Sequence, residues 1–270
     1  MNAPTTGTSA GRVRWTVSIV SHGHGAGVAR VITDIHRALG AVPHRFILTL
    51  NAGEDAAFVE ALPDSVRARL RLIVNARPRG FGANHNAALR DADSDFVVAA
   101  DPDLAIDHPI FGALDAALSD PRCGIVAPLA ETPEGAVEDN GRALVTPARL
   151  LRRRLLGRRR EAQRETDGPI EVDWLAGLFL AMRTETFRTL GGFDERYYLY
   201  CEDVDLCLRA RQRGLSVALL CGVRITHRAK RASLREPRHF LWHVQSLLRL
   251  WRSPVYREAR RPRTGIPAAV

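Results

Sequence analysis

Between residues 15 and 107, short apolar runs rich in Val and Ile alternate with segments of helical spacing, a rhythm that few folds accept. "WTVSIVSHG" (15–23) is β-branched and closes on polar and small residues, as a buried strand does where it runs into a functional loop. "GVARVITDIHRALG" (27–40) follows, with Val28, Val31, Ile32, Ile35 and Leu39 at helical intervals. A second strand, "HRFILTLNAGED" (44–55), has a polar exit; the short helix "AAFVEALP" leads from it to a third strand, "LRLIVN" (70–75). A glycine loop entering a helix, "RPRGFGANHNAALRDAD" (77–93), then precedes a strand that ends in acids, "SDFVVAADPDLAID" (94–107). This order predicts an α/β fold with a mainly parallel, doubly wound sheet and flanking helices. Ligands of such sheets sit at the carboxyl ends of the strands.

Polar residues gather at those ends. Asp101 and Asp103 flank Pro102 directly after "FVVAA", and in an extended segment residues i and i+2 point the same way, so both carboxylates could reach one hard cation that in turn holds a diphosphate. A turn capping the strand is the competing reading of the same three residues. In "GFGANHN", Gly80 and Gly82 stand where backbone must turn or approach a ligand, and Asn84 and Asn86 open a helix whose N-terminus favours anions. A plain N-cap with a glycine turn would look similar.

Charge divides the chain in two. Residues 1–145 hold 13 Lys+Arg against 17 Asp+Glu, whereas 146–270 hold 26 against 13, so the basic half invites an anionic partner. The segment "PARLLRRRLLGRRREAQR" (147–164) has eight arginines and one acid, and with its leucines reads either as a solvated insertion or as a basic amphipathic helix on an anionic membrane surface. Residues 236–270 repeat the theme as an amphipathic helix and basic tail. A nucleic-acid partner is not expected, because interleaved surface aromatics and a recognisable binding module are missing. With 46% hydrophobic residues in 270, the core can be large. No run approaches the roughly 18 apolar residues of a membrane span, and residues 1–12 lack the apolar centre of a signal peptide; a cytoplasmic protein with a loose N-terminal tail is expected. Cys123, Cys201, Cys207 and Cys221 show no metal-ligand spacing and are expected as reduced, buried thiols.

The order VSIVSHG, GFGANHN, D-P-D, W-L-A-G, GGFDERYYLYCEDVDLCLR and a later His227 resembles the family-two inverting glycosyltransferases, especially bacterial rhamnosyltransferase-like members, over roughly residues 13–230. The resemblance implies a GT-A fold over 13–235 that binds a nucleotide-diphospho-sugar and Mg²⁺ or Mn²⁺. It assigns Asp101, Asp103 and His227 to the metal, Asp101 also to the diphosphate, and Asp203 to the catalytic base. Ser21 and His22 would lie in the nucleotide pocket. Many relatives end their second strand D-N-x-S, whose Asp helps read the base; here "TLNAGED" offers Asn51 for a base or ribose contact and Glu54 as a further substitute. A dTDP-sugar is the favoured donor, and a glycan or polyprenyl-diphosphate-linked saccharide the acceptor. Trp174, Gly177 and Glu202 would border the acceptor, although a core Trp on an apolar strand reads equally well. Helical spacing puts Val204, Cys207 and Leu208 on one stripe with Asp203 at its border, so Asp203 should rim a pocket while Glu202 and Asp205 point elsewhere. A nucleotidyltransferase on a related sheet is the alternative enzyme, but "SHGHGAG" has the glycines without the cations it would need.

Overall fold

The computed structural model describes residues 12–51, 53–155, 166, 168–228 and 237–260. Strand β1 (Trp15–Ser21) is buried along nearly its whole length, and helix α1 (Ala26–Leu39) lays Val28, Val31, Ile32, Ile35 and Leu39 over the sheet. After β2 (His44–Asn51) come two single turns, α2 (Ala57–Glu60) and α3 (Asp64–Arg67), then β3 (Leu70–Asn75), α4 (Phe81–Leu89) and β4 (Phe96–Ala100). These four strands are parallel, in the spatial order β3-β2-β1-β4.

Past Ala100 the single strand expected over 94–107 is interrupted. Pro102 has no N–H to give to a ladder, so the chain turns at 102–103 and resumes as the two-residue β5 (Leu104–Ala105). Helix α5 (Phe111–Leu118), β6 (Cys123–Glu131), β7 (Gly141–Arg142), α6 (Pro147–Leu155), β8 (Pro169–Glu171), β9 (Trp174–Leu175), β10 (Phe179–Arg183) and α7 (Thr184–Leu190) follow. The acid-rich segment forms α8 (Glu202–Gln212), the last strand is β11 (Ser216–His227), and α9 (Pro237–Arg252) and α10 (Pro254–Ala259) complete the described chain.

The full sheet runs β3-β2-β1-β4-β10-β6-β11-β5, with β8 also on β11. β10 is antiparallel to both β4 and β6, and so joins the parallel quartet to the parallel pair β6–β11. The sheet is therefore mixed, mostly parallel but with this antiparallel seam. Apolar side chains pack on both faces: Trp15, Phe46, Phe111 and Phe179 on one, Trp174, Phe187, Phe193 and Tyr197 on the other. All four cysteines are free and buried.

Of the arginine-rich stretch 147–164, residues 147–155 are helical and 156–164 lie outside the described residues, as do 1–11 and 261–270 of the expected tails. α9 buries little besides Ser246 and Leu250, yet its end and α10 are anchored together: Trp251 Nε1 of α9 and the Tyr256 hydroxyl of α10 both donate to the Val145 carbonyl, at 3.1 and 2.9 Å. Among the described residues no helix is long and apolar enough to cross a membrane.

Candidate active site

The turn forced by Pro102 has a chemical consequence. β5 pairs antiparallel with the end of β11, setting His227 opposite Leu104 and thus beside Asp103. One ligand atom each from Asp101, Asp103 and His227 lie within 4.8 Å of one another. The two acids meet through a turn and not, as expected, through the i, i+2 geometry of an extended strand. Backbone bonds fix the corner: Asp101 N donates to the Leu178 carbonyl (2.8 Å) and Arg228 N to the Asp103 carbonyl (2.9 Å). His227 Nδ1 lies 2.7 Å from Glu138 Oε2, a contact that holds the proton on Nδ1 and turns Nε2 towards Asp103 Oδ1, 3.4 Å away.

Electrostatically the corner wants a cation. Burial, then the charges of Asp103 and Asp203, push Asp101 up to about 8, even though His227 acts in the other direction. For His227 burial favours the neutral ring, but the adjacent Asp103 and Glu138 carboxylates together outweigh it and hold the imidazole up at about 9. Burial would likewise raise Asp103, yet His227 keeps it below the usual carboxylate range. Asp103 Oδ1 is buried, and apart from the His227 ring 3.4 Å away no group satisfies it. Two carboxylates and an imidazole with a buried oxygen so sparsely satisfied fit a divalent ion such as Mg²⁺ or Mn²⁺.

Helix α8 brings acids to the same pocket. It is approached through Tyr200 (φ 72°) and Cys201 (φ 66°), two successive left-handed residues that are not glycine, a costly backbone held by its surroundings. Tyr200 is gripped from α9, its hydroxyl 2.9 Å from His239 Nδ1 and its ring stacked on His243 at 4.8 Å. Asp203 is half-buried, and each carboxylate oxygen accepts a backbone N–H: Oδ2 from Gly177 (3.0 Å), Oδ1 from Val204 (2.8 Å). Burial raises its pKa against those N–H groups and the Arg142 charge, and the Asp203 carboxylate in turn helps raise Asp101.

Glu202 and Asp205, expected to point elsewhere than Asp203, lie deeper than it, at 4% and 3% exposed. α8 packs against β6, β9 and β11 on one side and α7 and α10 on the other, so it has no free face for acids to occupy. Asp205 is neutralised by Arg209 at 2.7 Å. Glu202 Oε2 has no partner, and burial followed by the Asp203 and Asp101 charges drives its pKa well above the carboxylate range.

At the other end of the pocket, the Ser21 hydroxyl donates to Glu54 Oε1 (2.8 Å), and Glu54 also accepts from Gly25 N (2.6 Å) and Gly23 N (3.2 Å). Glu54 thereby ties the β1–α1 loop to the end of β2. His22 is exposed, with Nδ1 3.4 Å from Asn51 Nδ2. The Asn51 amide itself brackets Arg79, accepting from its N–H (2.8 Å) and donating to its carbonyl (2.9 Å). Asn84 joins the same network through Asn75 (2.7 Å) and the Arg79 carbonyl (3.1 Å). Asn86 faces away, holding Phe193 at both its N–H and carbonyl (2.8 Å each). Gly80 and Gly82 clear protein: a Cβ on them would stand 2.5 Å from the Tyr198 carbonyl oxygen and 2.6 Å from Phe193 Cβ. Thus "GFGANHN" is fastened to the 193–198 segment and to Arg79. Trp174 is buried, its Nε1 donating to the Ala143 carbonyl at 2.9 Å and Arg142 lying over its ring at 4.9 Å. Gly177 leaves room for Phe81, 3.3 Å from where its Cβ would be. Glu138 was not visible to sequence reasoning, because it lies in an irregular stretch with no periodicity; Arg142 likewise carried no signal.

The arrangement joins a cation-binding corner to a backbone-oriented carboxylate, a pairing suited to displacing a phosphorylated leaving group with a hydroxyl. Over 165 residues the chain is 32% identical to the N-acetylglucosaminyl-diphospho-decaprenol L-rhamnosyltransferase of Mycobacterium tuberculosis, covering 56% of this chain and 53% of that protein. Over 81 residues it is 37% identical to the rhamnosyltransferase WbbL of Escherichia coli K12, covering 29% and 30% respectively. The chain thus spans about half the length of the first relative and less of the second. Among solved structures, GalNAc-T7 with UDP, GalNAc and Mn²⁺ superposes with a TM-score of 0.61 at 17% identity, covering 81% of this chain and 43% of that one. The mannosyltransferase PcManGT of Pyrobaculum calidifontis, in complex with GDP-Man and Mn²⁺, gives 0.57 at 19% identity, covering 89% and 65%. These neighbours share the GT-A glycosyltransferase fold. With residues 14–246 matching the family described as Glycosyltransferase like family 2, the chain belongs to that family.

Proposed function

We propose that this chain moves a deoxyhexose, rhamnose from dTDP-rhamnose, with inversion onto a glycan or polyprenyl-diphosphate-linked saccharide, as a step of cell-surface polysaccharide synthesis at the cytoplasmic face of a membrane. The carrying observation is the pairing of the Asp101–Asp103–His227 corner with the oriented Asp203 carboxylate. Similarity to two rhamnosyltransferases supports the sugar, and the exposed, basic α9 supports the membrane.

In this reading Asp101, Asp103 and His227 hold Mg²⁺ or Mn²⁺, which when bound supplies positive charge for the departing diphosphate. Asp203 takes the proton from an acceptor hydroxyl as that oxygen bonds to the anomeric carbon from the face opposite the breaking bond to diphosphate. The Gly177 and Val204 N–H groups fix its carboxylate so that a remaining lone pair faces the acceptor. Glu202 backs the acceptor site, and Ser21, His22 and Asn51 border the nucleotide.

The test combines donor and variant. With dTDP-rhamnose the wild type should give product of inverted anomeric configuration, and Asp203→Asn should keep donor affinity while losing about 10²–10⁴ in rate. Retained configuration, or near-parental turnover by Asp203→Asn, would sink the mechanism; turnover only with another donor would sink the rhamnose assignment.

A further inference from the structure

Away from the acids, α9, the start of α10 and the 196–198 segment enclose a groove of about 570 Å³, the size of ordinary ligand clefts. Its lining includes Arg196, Tyr198, Trp242, Gln245, Arg249 and Arg252, and no carboxylate. Arg196 is held by Asp194. Arg249 lies 5.9 Å over the Tyr197 ring, and neither it nor Arg252 has an acidic partner among the described residues. Tyr198 and Trp242 face each other at 4.8 Å. On α9 the apolar side chains Phe240 and Leu241 are 71% and 54% exposed.

Two guanidiniums without an acidic partner, those of Arg249 and Arg252, make a site for an anion of more than one charge, and guanidinium forks match phosphate oxygens. The aromatic pair and the exposed apolar residues of α9 ask for an alkyl or alkenyl chain on that anion. Position narrows it further. Tyr198 is five residues from Asp203, no more than about 18 Å away even if the chain were fully extended. The Tyr200 ring, three residues before Asp203, stacks on His243 of α9 at 4.8 Å, so this helix stands beside the acceptor side of the pocket.

We infer that this groove holds the diphosphate of a polyprenyl-diphosphate-linked acceptor, with Arg249 and Arg252 on the phosphates and Tyr198 and Trp242 against the first prenyl units. The inference rests on the proposed use of a lipid-linked acceptor. It explains why the basic half of the chain needs a helix that buries so little of itself.

Farnesyl diphosphate is the probe, titrated calorimetrically into the full chain. Arg249→Gln/Arg252→Gln should bind it about tenfold or more weakly, with an unchanged melting temperature because both side chains are exposed. Arg71→Gln/Arg90→Gln, which removes equal charge elsewhere, should bind like the parent. Inorganic pyrophosphate should bind more weakly than farnesyl diphosphate, and equal binding would overturn the placing of the prenyl chain on Tyr198 and Trp242. Equal binding by the parent and the groove variant, or equal loss in both variants, would overturn the site. So would a groove variant that keeps farnesyl diphosphate but loses binding to phosphatidylglycerol vesicles, since the arginines would then serve the bilayer. Sugar transfer does not enter this readout: a groove that binds farnesyl diphosphate through Arg249 and Arg252 stands even if the proposed transfer fails.

Discussion

Loading a divalent ion into the Asp101–Asp103–His227 corner should expel close to two protons at neutral pH. With Asp101 at about 8 and His227 at about 9, the ion-free protein at pH 7 is mostly protonated at both. A metal needs the carboxylate ionised and the imidazole neutral, so it competes with both protons. From those two values, competition weakens apparent affinity at pH 7 by about 10³, equivalent to ~4 kcal/mol, and raising the pH to 8 should tighten binding by about 50-fold. The sign is set by both pKa values lying above 7: affinity climbs with pH and levels off beyond about 9. Titration calorimetry of Mn²⁺ into nucleotide-free protein, in two buffers of different ionisation enthalpy, counts the protons directly. Asp101→Asn should reduce the count by about one. Release of less than about half a proton, with a Kd flat between pH 7 and 8, would refute the reasoning, because the ion would then bind elsewhere or the corner would already be ionised.

Two stability predictions follow from burial. Because the folded-state pKa of Glu202 lies above its unfolded value, its contribution is fully present below about 4.5 and is lost as pH rises towards the folded pKa; Glu202→Gln should remove that decline, so denaturant midpoints at pH 5 and pH 7.5 should lie closer together than in the parent, and an unchanged gap would speak against the buried, strained carboxyl. Gly80→Ala places a Cβ 2.5 Å from the Tyr198 carbonyl oxygen, which as backbone cannot step aside. It should cost ~1–3 kcal/mol in a denaturant melt, and a neutral result would mean that the 193–198 segment is not locked to α4.

Much of the fold was legible because its first hundred residues obey simple periods. β1, β2, β3 and α1 each follow from the spacing of their own apolar residues, and their parallel pairing follows from alternation. The antiparallel β10 was not, since "FLAMR" reads the same in either direction and only its neighbours β4 and β6 decide it. His227 could be singled out as a polar residue ending an apolar strand, whereas Glu138, which orients it, has no local signature. The depth of the acids within "CEDVDL" was not legible for a definite reason. Amphipathic reasoning presumes one wet face, but α8 is enclosed, and the depth of Glu202 and Asp205 is set by tertiary contacts that no spacing reveals. The asparagines of "GFGANHN" show the same limit, because amides suited to an anion are equally suited to holding Arg79 and Phe193.

The antiparallel seam also bears on how the chain reaches its fold during synthesis. When β4 leaves the ribosome it can pair at once with β1, but its other edge, "FVVAA", has to wait for β10, which is made roughly 80 residues later. At about 5–20 residues per second the nascent chain carries an open, wholly apolar strand edge for some 4–16 s. His227 is made later still, so the corner it forms with Asp101 and Asp103 can close only once β11 has followed β10. Slow codons within 101–178 would lengthen that exposure and a faster stretch would shorten it.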